Sequence, residues 1–226
     1  LLLAIILTFN LAMCTSADSN ETAIWQEYNP PAYGDETPSI FTYSEEEISD
    51  EAMSLNIIEA GAELDASIGD NITVNVPAGT SDEKIAVFHG FIHDDLVTDE
   101  DYSPAYELMM IDAFQVRGES GKPLDKEIHV EYVCNTELLY TINESIKKAV
   151  ADFEGFTNSD FGISYWDANE KKWIETNAKL KSDGNTLELD TQYPGIYFIT
   201  IKKSSMQRAA LLYNKAGGDQ NTAGAS

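Results

Sequence analysis

Two of the chain's three histidines, His89 and His93, lie four residues apart in Val87-Phe88-His89-Gly90-Phe91-Ile92-His93-Asp94-Asp95. Two imidazoles on one face beside a carboxylate form a donor set suited to Zn²⁺. Gly90 stands where a zinc hydrolase motif carries its glutamate, so HExxH is absent. Structural histidines on a strand edge are the plainer reading. Asp94, Asp95, Asp99 and Asp101 follow, with Thr98, Glu100 and Ser103 among them. Hard oxygens at alternating loop positions suit Ca²⁺, which takes about six to eight oxygen ligands. The central Gly and final Glu of an EF-hand loop are missing, so an acidic solvated loop competes with a calcium site. Calcium is the one cofactor the residues offer, and none is required.

Trp166, Trp173 and Tyr193, with Tyr165 beside them, could supply the flat apolar area on which a sugar ring stacks. Core packing or cross-strand pairing of hairpin aromatics is the alternative. Tyr165 and Trp166 are neighbours in a strand pattern, so they point to opposite faces. Acids are so frequent that a carboxylate pair for glycoside hydrolysis carries no information by its presence. There is no GxSxG elbow, P-loop or GxGxxG fingerprint. Cys134 ends the run Val130-Glu131-Tyr132-Val133-Cys134 without a nucleophile signature, and reads as a small strand residue. No catalytic residue is assigned.

The frame around these residues is acidic. The 226 residues carry 39 acids and 14 bases, a net charge of −25. Residues 18–100 hold 20 acids and one base, Lys84; residues 101–201 hold 18 acids and nine bases; residues 202–226 hold one acid and four bases. Phosphate contacts need clustered Lys and Arg, so nucleic acid is excluded as a partner. Docking on an anionic leaflet through a polybasic patch is excluded on the same ground. The length suits one large domain or two small ones, and a hydrophobic fraction of 43% suits a globular body.

Leu1–Leu7 is wholly apolar, and no charge occurs before Asp18. This run is too short to span a bilayer but suits the core of a signal peptide. Residues 1–17 are therefore expected to be a signal peptide truncated at its start, with Thr15-Ser16-Ala17 as the cleavage site. Leu11-Ala12-Met13-Cys14 is a competing signal. It has the form of a bacterial lipobox with Cys14 as the lipid acceptor, although Met13 replaces the usual small residue. The expected location is the cell envelope or extracellular space, with membrane contact only through the signal or a lipid anchor.

Residues 18–54 read as an acidic linker or strap, with Pro30, Pro31 and Pro38 and scattered aromatics. Ser44-Glu45-Glu46-Glu47 has capping-box form, so a short helix over 45–54 competes with an acidic loop. From Leu55 the period changes to that of strands. Segments 72–76, 85–92, 109–116, 128–133, 162–166, 173–175, 186–189 and 195–201 are separated by turn signals, as in a sandwich or barrel. The last two are expected to pair through Tyr193-Pro194. Leu138, Leu139, Ile142, Ile146, Val150 and Phe153 form one apolar stripe at helical spacing, which predicts a helix over 136–153. Residues 202–226 read as a flexible tail containing a short helix over 209–215. Asn20, Asn71 and Asn143 head N-glycosylation sequons, which matter only in a eukaryotic secretory pathway.

Asn71-Ile72-Thr73-Val74-Asn75-Val76-Pro77-Ala78-Gly79-Thr80 resembles the opening strand and Pro-Ala turn of a ZU5-like β-sandwich. Tyr102–Leu108 resembles the segment before its central strands. Gly121-Lys122-Pro123 before the Ile128/Val130/Tyr132 alternation, the Tyr165-Trp166-Asp167 hairpin with Trp173, and Tyr193–Ile199 resemble its later strands. The resemblance covers roughly residues 57–201, and the helix at 136–153 departs from it. It implies a scaffold or interaction module with no catalytic residues to carry over. The expected architecture is an antiparallel β-sandwich over 55–201 with one inserted helix. The expected function is a non-catalytic interaction module that meets a protein or glycan at the cell surface. A carbohydrate-binding module using the aromatics, with or without calcium, is the alternative, and a carboxylate-dependent hydrolase is third.

Overall fold

The computed structural model describes residues 53–90, 109–167 and 172–215. They form two antiparallel sheets. The strands are β1 (Met53–Ile58), β2 (Leu64–Ser67), β3 (Ile72–Val76), β4 (Ile85–His89), β5 (Met110–Gly118), β6 (Ile128–Val133), β7 (Phe161–Asp167), β8 (Lys172–Glu175), β9 (Lys179–Leu180), β10 (Thr186–Thr191) and β11 (Gly195–Ile201). One sheet has the order β1-β4-β5-β11-β7-β8 and the other β2-β3-β6-β10-β9. The protein is mainly β, and among the described residues the sandwich carries two α-helices, α1 (Thr136–Lys147) and α2 (Lys203–Lys215).

The five-stranded sheet follows its sequence pattern. In β3, Ile72, Val74 and Val76 are buried while Thr73 and Asn75 are exposed. In β6, Ile128, Val130 and Tyr132 alternate with the half-buried His129 and Glu131. A period of two puts one set on the core and the other on the outer surface. The facing sheet contributes Phe114, Val116, Ile163, Tyr165, Tyr197 and Ile199 to the same core. Phe114 and Tyr197 stack at 4.8 Å with nearly parallel rings.

The pairing of the last two long strands differs from expectation. β10 pairs with β6 and β9, whereas β11 pairs with β5 and β7. Tyr193-Pro194 is thus a crossing between sheets and not a hairpin turn. A hydroxyl cluster fixes this corner. The Tyr197 hydroxyl donates to the Tyr193 carbonyl at 2.6 Å, which leaves Thr191 Oγ1 to donate to Tyr197 at 2.9 Å. A tyrosine bonded back to the backbone a few residues upstream locks corners in other sandwiches too. Gly195 admits the Tyr165 ring, with which a Cβ there would clash.

Helix α1 links the two sheets. The Asn135 side chain caps it by accepting from the Leu138 amide at 3.0 Å, and Leu139, Ile142 and Ile146 enter the core. The helix stops at Lys147, short of the expected 153. The Asn143 amide holds the returning chain by two bonds to Phe156, accepting from its N–H at 2.7 Å and donating to its carbonyl at 2.9 Å. Val150 and Phe153 still reach the core, from turns.

The stretch expected to be a flexible tail from 202 carries α2, which is longer than the expected 209–215. Met206 and Ala209 pack into the core, and the Asp160 carboxylate anchors the helix start. It accepts from Ser205 Oγ at 2.6 Å, the Arg208 guanidinium at 2.8 Å and the Thr157 amide at 2.7 Å. The Asp160 carbonyl also accepts from the Lys202 amide at 2.8 Å. The bonds from Ser205 and Arg208 bridge 45 and 48 positions in sequence, so local periodicity could not announce them.

Candidate functional site

The outer surface of the five-stranded sheet carries a fixed ionic network. His129 and Glu131 come from β6, Asp190 from β10, and Lys181 from the turn after β9. His129 Nδ1 lies 2.7 Å from Asp190 Oδ1, and its Nε2 lies 3.2 Å from Glu131 Oε1. Lys181 Nζ donates to the same Glu131 oxygen at 2.6 Å. The register explains the meeting: Asp190 is the cross-strand partner of His129, while Asn75 faces His129 from β3.

The electrostatics follow from these contacts. The bond to Asp190 raises the His129 pKa above 6.5; burial opposes this, and Glu131 adds to the rise. Glu131 is held below the usual carboxylate range, first by its bond to Lys181 and then by His129. Nearby, the Thr186 hydroxyl and the Asn185 and Thr186 amides hold Asp183 down to about 2. Each shifted surface group is bound in a partnership that fixes its charge and position. The alternation of β6 placed His129 and Glu131 on one face in the sequence, but neither Asp190 nor Lys181 could be assigned without the register.

The aromatic candidates separate. Trp166 and Trp173 are cross-strand partners on β7 and β8, on the outer side of the six-stranded sheet. Trp166 is 6% exposed and clusters with Ala113, Ile196 and Phe198, with Trp173 packed against them. The indoles lie 5.0 Å apart, and Trp173 meets the Phe198 ring edge-to-face at 4.5 Å. Trp166 therefore has no open ring face, while Trp173 is half-buried. Tyr165 does point the opposite way, into the main core. Tyr193 packs at the margin of that core and is not part of the tryptophan cluster.

His89 bonds Asp112 through Nε2 at 2.6 Å, and its ring lies against Gly69. His93, Asp94, Asp95, Asp99, Asp101 and Cys14 lie outside the described residues. Among the described residues, no group of three or more His, Cys, Asp or Glu side chains could hold a metal ion. Cys134 follows β6 and is buried; burial pushes its thiol up to about 11, where a thiolate does not form at neutral pH. A scan of protein-family models finds no match to the chain, and a search of curated proteins finds no significant match.

Proposed function

We propose that this chain is an exported, non-catalytic interaction module of ZU5-like type, acting at the cell surface. The polar outer face of its five-stranded sheet recognises a protein partner. The observation that carries this reading is the network His129–Asp190–Glu131–Lys181, which presents charges of both signs in fixed positions on an open sheet surface. Fixed, mixed charge supplies electrostatic complementarity, which sets register and rejects wrong partners. The net acidity elsewhere repels polyanions and favours solubility.

A photo-crosslinking residue placed at exposed Asn75 of the full chain tests the reading in the native host. The expected result is a crosslinked surface protein that is lost in the double variant Glu131→Lys, Asp190→Lys and retained in Trp173→Ala. Binding on a glycan array that Trp173→Ala abolishes, with no protein crosslink at Asn75, would instead support the carbohydrate-binding alternative and overturn this one.

A further inference from the structure

Among the described residues, the five-stranded sheet ends at β2 in an open edge. β2 pairs with β3 in the register Leu64↔Val76, Asp65↔Asn75, Ala66↔Val74 and Ser67↔Thr73, and no described strand lies on its other side. The Ile68 amide donates to the Ile72 carbonyl at 2.8 Å, which sets the phase of the hairpin. Backbone groups of an antiparallel strand point alternately to one neighbour and to the other. Those of Leu64 and Ala66 therefore serve β3, while the N–H and C=O of Asp65 and Ser67 point away from it. The Asp65 and Ser67 side chains are exposed, and Leu64 and Ala66 are half-buried. Sheets guard such an edge with Lys, Pro or a bulge. β2 has no Lys and no Pro, and its register runs without a shift. Its one charge is Asp65, flanked by exposed Glu63 and Asp70. Residues 53–83 contain no Lys, Arg or His.

We propose that β2 receives an extended, Lys- or Arg-bearing segment of the protein partner as an added strand of this sheet. The inference rests on the recognition surface proposed above and states how the partner engages it. Strand addition draws affinity from main-chain hydrogen bonds and specificity from alternate side chains. Side chains directly opposite one another share a face of the sheet, so partner residues opposite Asp65 and Ser67 lie on the polar outer face. Asp65 belongs to the row Asp65–Asn75–His129–Asp190 across β2, β3, β6 and β10. An added strand extends that row, and a cation opposite Asp65 pairs its charge. The same carboxylate selects against a second copy of this chain as the occupant. Two β2 strands pairing antiparallel about a two-fold axis would bring one Asp65 near the other, and like charges across strands are destabilising. The edge is thus guarded against itself and open to a basic strand. The four residues of β2 span about 13 Å, enough for a short segment.

The test adds the peptide acetyl-Thr-Lys-Val-Lys-Thr-amide to the full chain and follows the backbone amides by NMR. The expected result is a shift of the Asp65 and Ser67 amides, with their hydrogen exchange slowed at least about tenfold. The same peptide N-methylated along its backbone keeps its charge but cannot pair, and should leave both amides unchanged. Asp65→Lys should abolish the protection; should that variant misfold, the two peptides on the unaltered chain still decide. Equal binding of the two peptides, shifts at His129 and Asp190 with Asp65 and Ser67 unprotected, or no response at millimolar peptide each overturns the proposal. Slow exchange of Asp65 and Ser67 in the chain alone also overturns it, because the edge would already be covered. The underlying reading fails separately. A surface-protein crosslink at Asn75 with Asp65 and Ser67 unprotected in that complex removes strand addition alone, whereas no crosslink at Asn75 removes recognition by this face.

Discussion

The two sheets share one core but differ on their outer sides. β6 alternates Ile-His-Val-Glu-Tyr and shows its polar set outward, where His129 and Glu131 join Asp190 and Lys181. β11 reads Gly-Ile-Tyr-Phe-Ile-Thr-Ile and is buried on both sides. Alternation marks a half-buried sheet, and a continuous apolar run marks one covered twice. The difference separates the molecule into a sealed side, where side chains act through packing, and an open side, where they act through charge.

Equivalent truncations should therefore have unequal effects. Phe198→Ala, on the sealed side, should cost about 3–5 kcal/mol in urea unfolding, the range for a large buried aromatic. Glu131→Ala, in the open network, should cost less than about 1 kcal/mol, as exposed ion pairs do. Similar costs at the two positions would erase the distinction.

Asp160 falls between these extremes. Its burial raises the carboxyl pKa, but bonds from Ser205, Thr157 and Arg208 outweigh this and leave it below 3.8. Asp160→Ala should cost about 2–4 kcal/mol by leaving buried donors unpaired, and should release α2, read as lost helical circular dichroism. Because the folded pKa is depressed, this stabilisation is present above the unfolded value of 3.8. It is lost as pH falls through the lower folded value. The stability difference between wild type and the variant should shrink on acidification.

The smallest effect is expected at His129, and its sign is opposite. The folded pKa is raised, so its contribution is full below the unfolded value of 6.5 and fades as pH rises through the folded value. Exposure and screening limit it to less than about 1 kcal/mol. Proton NMR titration of the His129 ring, with His129→Gln melting compared at pH 6 and pH 9, checks both direction and size. A titration midpoint below 6.5 would contradict the assigned partners.

Much of this architecture was legible in the sequence. The 128–133 strand has the bounds its alternation marks, and the Trp166–Trp173 hairpin lies where its aromatics and turn signals put it. Short strands hid from the pattern: Leu64–Ser67 and Lys179–Leu180 are too brief to show a period. The crossing at Tyr193-Pro194 looked like a hairpin because a local turn signal does not say which sheet receives the next strand. The α2 helix was underestimated because its anchor, Asp160, is remote in sequence. The continuous run of β11 already held the sign of a twice-covered sheet, but a run of seven residues is also compatible with a buried strand in an ordinary core. The ionic network was half legible, since β6 showed two of its members and only the register with β10 supplied the third.

Hydroxyl-radical footprinting of the full chain measures the contrast directly, residue by residue. The account predicts that Phe88, Trp166 and Phe198 are protected, while His129 and the exposed Tyr140 react readily. Modification of Phe88, Trp166 and Phe198 at the rate of Tyr140 would contradict it, because the sealed side would then be open to water.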